Sequence, residues 1–324
     1  ELTEGPALIL AGAGSGKTRV ITYRIAYLIG VKQVPPESIL AVTFTNKAAD
    51  QMKERVAQLL SGRVELRPGA PHVSTFHSFC VSVLRRHIDR LGYNRDFSIY
   101  DEDDQQRVMK ACIQELGLSE QIASPRSALA RISYVKNRGL APPDLYRQAA
   151  DPLTEKLASL YDLYQRKLGQ ANALDFDDLL LKTVDLFYQS PDVCEAYNRR
   201  FRYILVDEYQ DTNRIQYQLI RQLTLAQQNL CVVGDEDQSI YRWRGADIEN
   251  ILRFEQDYPE TKLIRLERNY RSTQLILDAA SAVVSRNVAR KGKTLWTDRG
   301  GGQRVGLFEA RDAEEEAMYV ADQT

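Results

Sequence analysis

The chain has 324 residues, 44% of them hydrophobic and 27% charged, with a formal net charge of −1. That is enough material for two domains with buried cores, and it excludes a disordered chain, a fibre and a protein held on nucleic acid by bulk charge. No uncharged run approaches the roughly 18 residues of a membrane span, no basic leader precedes an apolar stretch, and the cysteines and histidines are too scattered for a metal cluster or disulfide framework. A cytoplasmic protein without a membrane partner is expected.

Residues 7–10 read as a buried parallel strand, and Ile21, Ile25 and Leu28 recur at helical spacing soon after. Between them lies Ala11-Gly12-Ala13-Gly14-Ser15-Gly16-Lys17-Thr18. Its small residues let the backbone turn so that successive N–H groups and a helix N-terminus face one anion, where the helix dipole also favours negative charge. This is the pattern of a phosphate loop, with Ala11 where glycine is usual. Lys17 is placed to reach the β and γ phosphates of a nucleotide, and Thr18 to ligate Mg²⁺.

Pro35-Pro36 breaks the chain before a second buried strand at 39–42, which ends in Thr43-Phe44-Thr45-Asn46. Ala48, Met52, Val56 and Leu59 mark a helix, and 73–76 a third short strand. Alternating strands and helices predict a parallel sheet. Helical spacing then dominates from 85 to 198, carried by Val108, Cys112 and Leu116, by Leu157, Tyr161, Tyr164 and Leu168, and by Leu180, Val184 and Phe187. No strand is expected there, so the stretch reads as an all-helical insertion into an α/β domain. Strands resume at 203–206, 230–233 and 263–266, with helices around 217–223, 273–285 and 312–323.

Two of these strands end in chemistry. Asp207-Glu208 closes the strand at 203–206, at the edge where open parallel sheets bind ligands. Beside a phosphate loop, Asp207 is expected to hold Mg²⁺, usually through water, and Glu208 to orient and deprotonate an attacking water. Gly234-Asp235 leads to Gln238, a carboxamide able to sense a γ-phosphate. Ser239-Ile240-Tyr241-Arg242-Trp243-Arg244-Gly245 follows, alternating aromatics with arginines. Tyr241 and Trp243 can stack on bases while the arginines meet backbone charge; the competing reading is an amphipathic strand with its aromatics turned inward.

Seven stretches in order resemble the N-terminal part of superfamily 1 DNA helicases of the UvrD/Rep/PcrA kind. They are the loop at 11–18, Thr43-Phe44-Thr45-Asn46-Lys47-Ala48-Ala49, Thr75-Phe76-His77-Ser78-Phe79 and Asp175-Phe176-Asp177-Asp178-Leu179-Leu180. Val206-Asp207-Glu208-Tyr209-Gln210-Asp211-Thr212, the run from Gly234 to Ala246, and Leu266-Glu267-Arg268-Asn269-Tyr270-Arg271-Ser272 complete the set.

The resemblance implies a RecA-like P-loop NTPase sheet (1–84 and 199–262), an inserted helical subdomain (85–198) and the beginning of a second RecA-like domain (263–324). ATP would lie in the cleft between the two RecA-like domains, with Mg²⁺. Gly12, Ala13, Gly14, Ser15, Gly16, Lys17, Thr18 and Arg19 would bind the nucleotide; Tyr270 matches an adenine-stacking position and Arg271 an arginine that reaches the γ-phosphate. From the residues alone, Arg268 and Arg271 read as solvated charges. Phe44, Thr45, Asn46, His77, Tyr241, Trp243 and Arg244 match positions that contact single-stranded DNA.

The implied activity is ATP-driven 3′→5′ movement on single-stranded DNA and at duplex/single-strand junctions, in repair or replication and with partner proteins from those processes. The helicase part of a helicase-nuclease and a nucleotide-binding regulatory module without unwinding activity are the alternatives; Glu208, a general base, argues against the second. The family's upstream adenine-reading glutamine motif and its two later motifs have no counterpart between Glu1 and Thr324. A piece of a longer protein is therefore expected, one that by itself turns ATP over poorly and does not unwind processively.

Overall fold

The computed structural model describes residues 2–61, 69–118, 124–242, 245–287 and 290–323. Strands and helices alternate at the start: β1 (Ala7–Ala11), α1 (Lys17–Gly30), β2 (Ile39–Thr43), α2 (Asn46–Leu60), β3 (His72–Thr75) and α3 (Phe76–His87). The middle holds β4 (Ser98–Ile99), α4 (Glu102–Glu115), α5 (Pro125–Asn137), α6 (Pro142–Gln148), α7 (Pro152–Gln170), β5 (Ala173–Leu174), α8 (Phe176–Gln189) and α9 (Pro191–Arg200). The alternation resumes with β6 (Tyr203–Val206), α10 (Arg214–Leu223), β7 (Leu230–Gly234), the short α11 (Glu249–Leu252) and α12 (Phe254–Asp257), β8 (Lys262–Leu266), α13 (Gln274–Val284) and α14 (Ala313–Gln323).

The main sheet has the order β3-β2-β6-β7-β1-β8, and every pairing in it is parallel. Its central strands β1, β2, β6 and β7 are buried throughout because both faces are covered, while the edge strands β3 and β8 carry polar residues. Ala7, Ile9 and Ala11 join Ile21 and Ile25 of α1 and Met52 of α2 on one face. Leu8 and Leu10 join Phe79 of α3, Leu180 of α8, Tyr197 of α9 and Leu219 of α10 on the other. The period-2 alternation of side chains thus feeds two separate cores from each central strand.

The structure adds detail to two expectations and corrects a third, the absence of strands from the helical block. The strand at 263–266, read as the opening of a second RecA-like unit, is β8, the edge strand of the first sheet: Leu8 pairs with Leu263 and Ala11 with Leu266. A short apolar run carries no mark of which sheet it will join, since pairing is a long-range choice. The helical block also contains a strand pair, β4 with β5, two residues each and too short for a periodic signal. Finally, the block from 85 to 198 is not one body of packing. Helices α4, α5, α6 and α7 gather around their own core of Met109, Ile132, Tyr161 and Tyr164, whereas α8 and α9 bury Leu180, Phe187 and Tyr197 with the sheet. Helix α8 is apolar on most of its circumference, so it serves the sheet's core while its N-terminus meets α5.

Candidate nucleotide and nucleic-acid sites

The turn after β1 is held by its own backbone and by the segment after β8. Ser15 N–H and Oγ both donate to Gly12 O, at 3.2 and 2.7 Å. Gly14 and Gly16 have φ of 70° and 96°, a region that glycine enters without strain. A β-carbon on Gly14 would also lie 2.7 Å from both Arg271 Cβ and Asn269 Nδ2. Those neighbours clasp the loop: Asn269 Nδ2 donates to Ala13 O at 2.5 Å and Tyr270 N–H to Gly14 O at 3.0 Å. Asn269 Oδ1 in turn accepts the N–H groups of Arg271 and Ser272, at 2.8 and 2.7 Å.

The sheet order sets β7 beside β1 and β6 next beyond it, all parallel, so their C-terminal ends lie on the same edge as Lys17. Lys17 Nζ donates to Glu208 Oε2 at 2.8 Å and to Gln238 Oε1 at 3.3 Å. Gln210 Nε2 donates to the same Glu208 oxygen at 2.9 Å, and Gln210 Oε1 accepts the Asp235 N–H at 2.9 Å. Gln238 Nε2 donates to Asp235 Oδ2. Three residues read from sequence as catalytic thus converge through side chains from three strand ends. Glu208 has φ of 49°, left-handed for a non-glycine residue, a conformation that persists only where surroundings enforce it.

Asp207 is 3% exposed. Burial, then the neighbouring Glu208 charge, push its pKa up to about 6, against hydrogen bonds from the Glu208 N–H and the Thr18 hydroxyl. Thr18 and Asp207 offer a hydroxyl and a carboxylate, the hard oxygen donors that suit Mg²⁺. Asp211, quoted in the resemblance without a role, behaves alike: burial and Glu208 raise its pKa to about 6, and its Oδ1 is buried without a hydrogen-bond partner.

Tyr270 is 54% exposed, with the Arg268 guanidinium 5.0 Å from its ring centroid. Arg268 is therefore not simply solvated: it also lies over Trp296 at 5.4 Å and pairs with Asp298. Arg271 is exposed, and its carbonyl accepts from Arg299 Nη1 at 3.0 Å. Arg19 has its guanidinium 5.1 Å from the Tyr23 ring, on the outward side of α1.

The DNA candidates stand at the same edge of the sheet. Thr45, two residues past β2, and Thr75, the last residue of β3, accept the N–H of Ala48 and Ser78, capping α2 and α3. Phe44 is half-buried, edge-on to Phe76 at 5.6 Å, while Thr45 and Asn46 are exposed. His77 lies 6.0 Å from the ring of exposed Phe176, and burial lowers its pKa. Tyr241 is 39% exposed. Trp243 and Arg244 lie outside the described residues. The site ends are linked: Asp207 N–H donates to Val42 O at 3.0 Å, and Ser239 Oγ to Gln210 O at 3.3 Å.

Sequence reasoning left Gln210, Asp211 and Asn269 without roles. Polar residues in turns are common, and only the crossing of separate chain segments makes these three part of the site.

A six-stranded parallel sheet, a phosphate loop after β1 and carboxylates at neighbouring strand ends define the class of phosphate-loop α/β proteins. Residues 1–259 match the model of the UvrD/REP helicase N-terminal domain and 264–324 that of the UvrD-like helicase C-terminal domain. The chain belongs to the UvrD/REP helicase family. It is 50% identical over 318 residues to the ATP-dependent DNA helicase PcrA of Staphylococcus aureus (strain Mu50 / ATCC 700699), covering 98% of this chain and 43% of that protein. It is 52% identical over 321 residues to the protein of the same name from Bacillus subtilis (strain 168), again 98% and 43%. The chain thus spans less than half the length of these relatives. Among the described residues no helix is long and apolar enough to cross a membrane.

Proposed function

We propose that this chain is the ATP-hydrolysing part of a DNA helicase that moves along single-stranded DNA in the 3′→5′ direction, acting in the cytoplasm at duplex/single-strand junctions during repair or replication. The observation that carries the proposal is the meeting of Lys17, Glu208 and Gln238 at one strand edge. Bound ATP with Mg²⁺ would supply the scissile phosphoanhydride and the charge that neutralises it. The backbone of 12–16, with Lys17, would hold the phosphates, and Thr18 and Asp207 the metal. Glu208 is a carboxylate whose side chain is 35% exposed, able to take a proton from water. Lys17 and Gln210 fix its position through the same oxygen. Tyr270 presents an exposed ring beside the loop for the base, Arg271 adds positive charge there, and Arg19 flanks the loop from α1.

Phe44, Thr45, Asn46, His77 and Tyr241, with Trp243 and Arg244 by sequence, would contact the DNA strand. We further propose that the domain insertion lies within 85–198 and that a second RecA-like unit begins beyond β8. In the full protein, ATP turnover should rise with added single-stranded DNA, and Glu208→Gln should lower it by about 10²–10⁴-fold while nucleotide still binds. Turnover indifferent to DNA would refute the coupling.

A further inference from the structure

Lys293 belongs to none of the roles above, yet its side chain is only 2% exposed and its Nζ meets three consecutive carboxylates. Nζ lies 2.5 Å from Asp235 Oδ1, 3.2 Å from Glu236 Oε2 and 2.8 Å from Asp237 Oδ2. Arg290 Nη2 donates to the same Asp237 oxygen at 2.7 Å. Without a cation, three buried carboxylates in one tight turn would repel each other and pull toward water. Burial acts against the Lys293 ammonium, and hydrogen bonds to Asp235 and Asp237 outweigh it, so its pKa is raised.

This turn presents Gln238. Asp235 Oδ2 accepts from Gln238 Nε2, and Gln238 Oε1 accepts from Lys17. The Asp235 N–H donates to Gln210, which donates to Glu208. Two hydrogen-bonded chains therefore leave the Lys293 pocket and end on Lys17 and Glu208. The segment that carries Lys293 also covers the loop. Leu295 packs where a β-carbon on Gly12 would stand, and the Trp296 N–H donates to Glu267 O at 3.0 Å.

We propose that Lys293 is a positioning residue for hydrolysis: by neutralising the turn of Asp235, Glu236 and Asp237 it holds Gln238 and Gln210 in register with Lys17 and Glu208. Lys293 ties the segment after β8 to the geometry of hydrolysis and contributes little to nucleotide affinity. This rests on the reading of the site as an ATPase.

The test uses the full protein with ATP, Mg²⁺ and a saturating oligothymidylate. Lys293→Met should lower kcat by about tenfold or more while the dissociation constant of a fluorescent ATP analogue stays within about threefold. In a Gln238→Ala background, the same change should cost less than it does alone, because one of the two hydrogen-bonded chains it acts through is already cut. Unchanged kcat, matching losses in kcat and affinity, or fully multiplying losses in the double variant would overturn the proposal. Should Lys293→Met not fold, the pair Lys293→Met with Asp237→Asn, which removes a carboxylate with the cation, is judged by the same criteria. Absence of turnover in the unmodified protein would instead defeat the ATPase reading itself.

Discussion

Lys136 and Lys17 both sit among acidic and amide side chains, and the contrast between them separates a closed ion cluster from one at a candidate site. Lys136 on α5 has a side chain with no exposure, donates to Asp175 Oδ2 at 2.7 Å and Asp178 Oδ1 at 2.8 Å, and is closed in by Tyr164 and Gln165, which donate to the same carboxylates. Burial acts against its charge and the two aspartates outweigh it, raising its pKa. It ties the core of the middle helices to the capping box that starts α8. Lys17 makes a contact of the same length to Glu208, but that carboxylate is 35% exposed and the pair lies where three strands end. Ion pairs of one kind are closed off from water around Lys136 and left open to a ligand around Lys17.

The largest expected effect breaks the first cluster. Lys136→Met should cost about 3–5 kcal/mol of stability by leaving buried aspartates uncompensated, read from denaturant unfolding. Nucleotide affinity at temperatures where the variant is folded should not change; a stability loss under about 1 kcal/mol would erase the contrast. Lys17→Met should show the reverse pattern. Turnover should fall by about 10²–10³-fold, or about 3–4 kcal/mol at the transition state. The melting temperature should barely move, because a partly exposed pair contributes about 1 kcal/mol or less.

Smaller still is the effect of Asp207. Its pKa of about 6 lies above the ordinary aspartate value, so the folded state binds more protons than the unfolded state between about pH 4 and 6. This contribution therefore favours folding below that window and is lost as pH rises through 6. Asp207→Asn should raise stability at pH 7 by about 1–3 kcal/mol and remove Mg²⁺-dependent turnover. In the unmodified protein at limiting Mg²⁺, turnover should decline as pH drops below about 6, where protons compete with the metal for this carboxylate. A flat profile from pH 5 to 8 would contradict this. At the far end of the edge, Tyr241→Ala should weaken single-strand binding by about 1–3 kcal/mol in a fluorescence titration while leaving DNA-free nucleotide binding intact.

Much of this was legible in the residues because it is local. A glycine-rich turn between an apolar run and a helical period can be read over a dozen positions, and Asp207-Glu208 at a strand end needs only its neighbours. Gln238, three residues past Asp235, was reachable from its spacing alone. Gln210 and Asn269 were not: each acts by bonding to a segment distant in sequence, Gln210 to Asp235 and Asn269 to Ala13. Lys293 stood among other basic residues near the end of the chain, and nothing beside it marks a turn 56 residues earlier as its partner.

The sequence by itself determined the parallel α/β class, the phosphate loop, the carboxylate pair and the helical character of the middle, since periodicity and turn chemistry depend on neighbours in the chain. Tertiary structure alone decided which sheet the last strand joins, how the helical block divides between two cores, and which lysine is locked away. Those outcomes depend on long-range pairing and on burial, and burial sets whether a charge is a brace or a reagent.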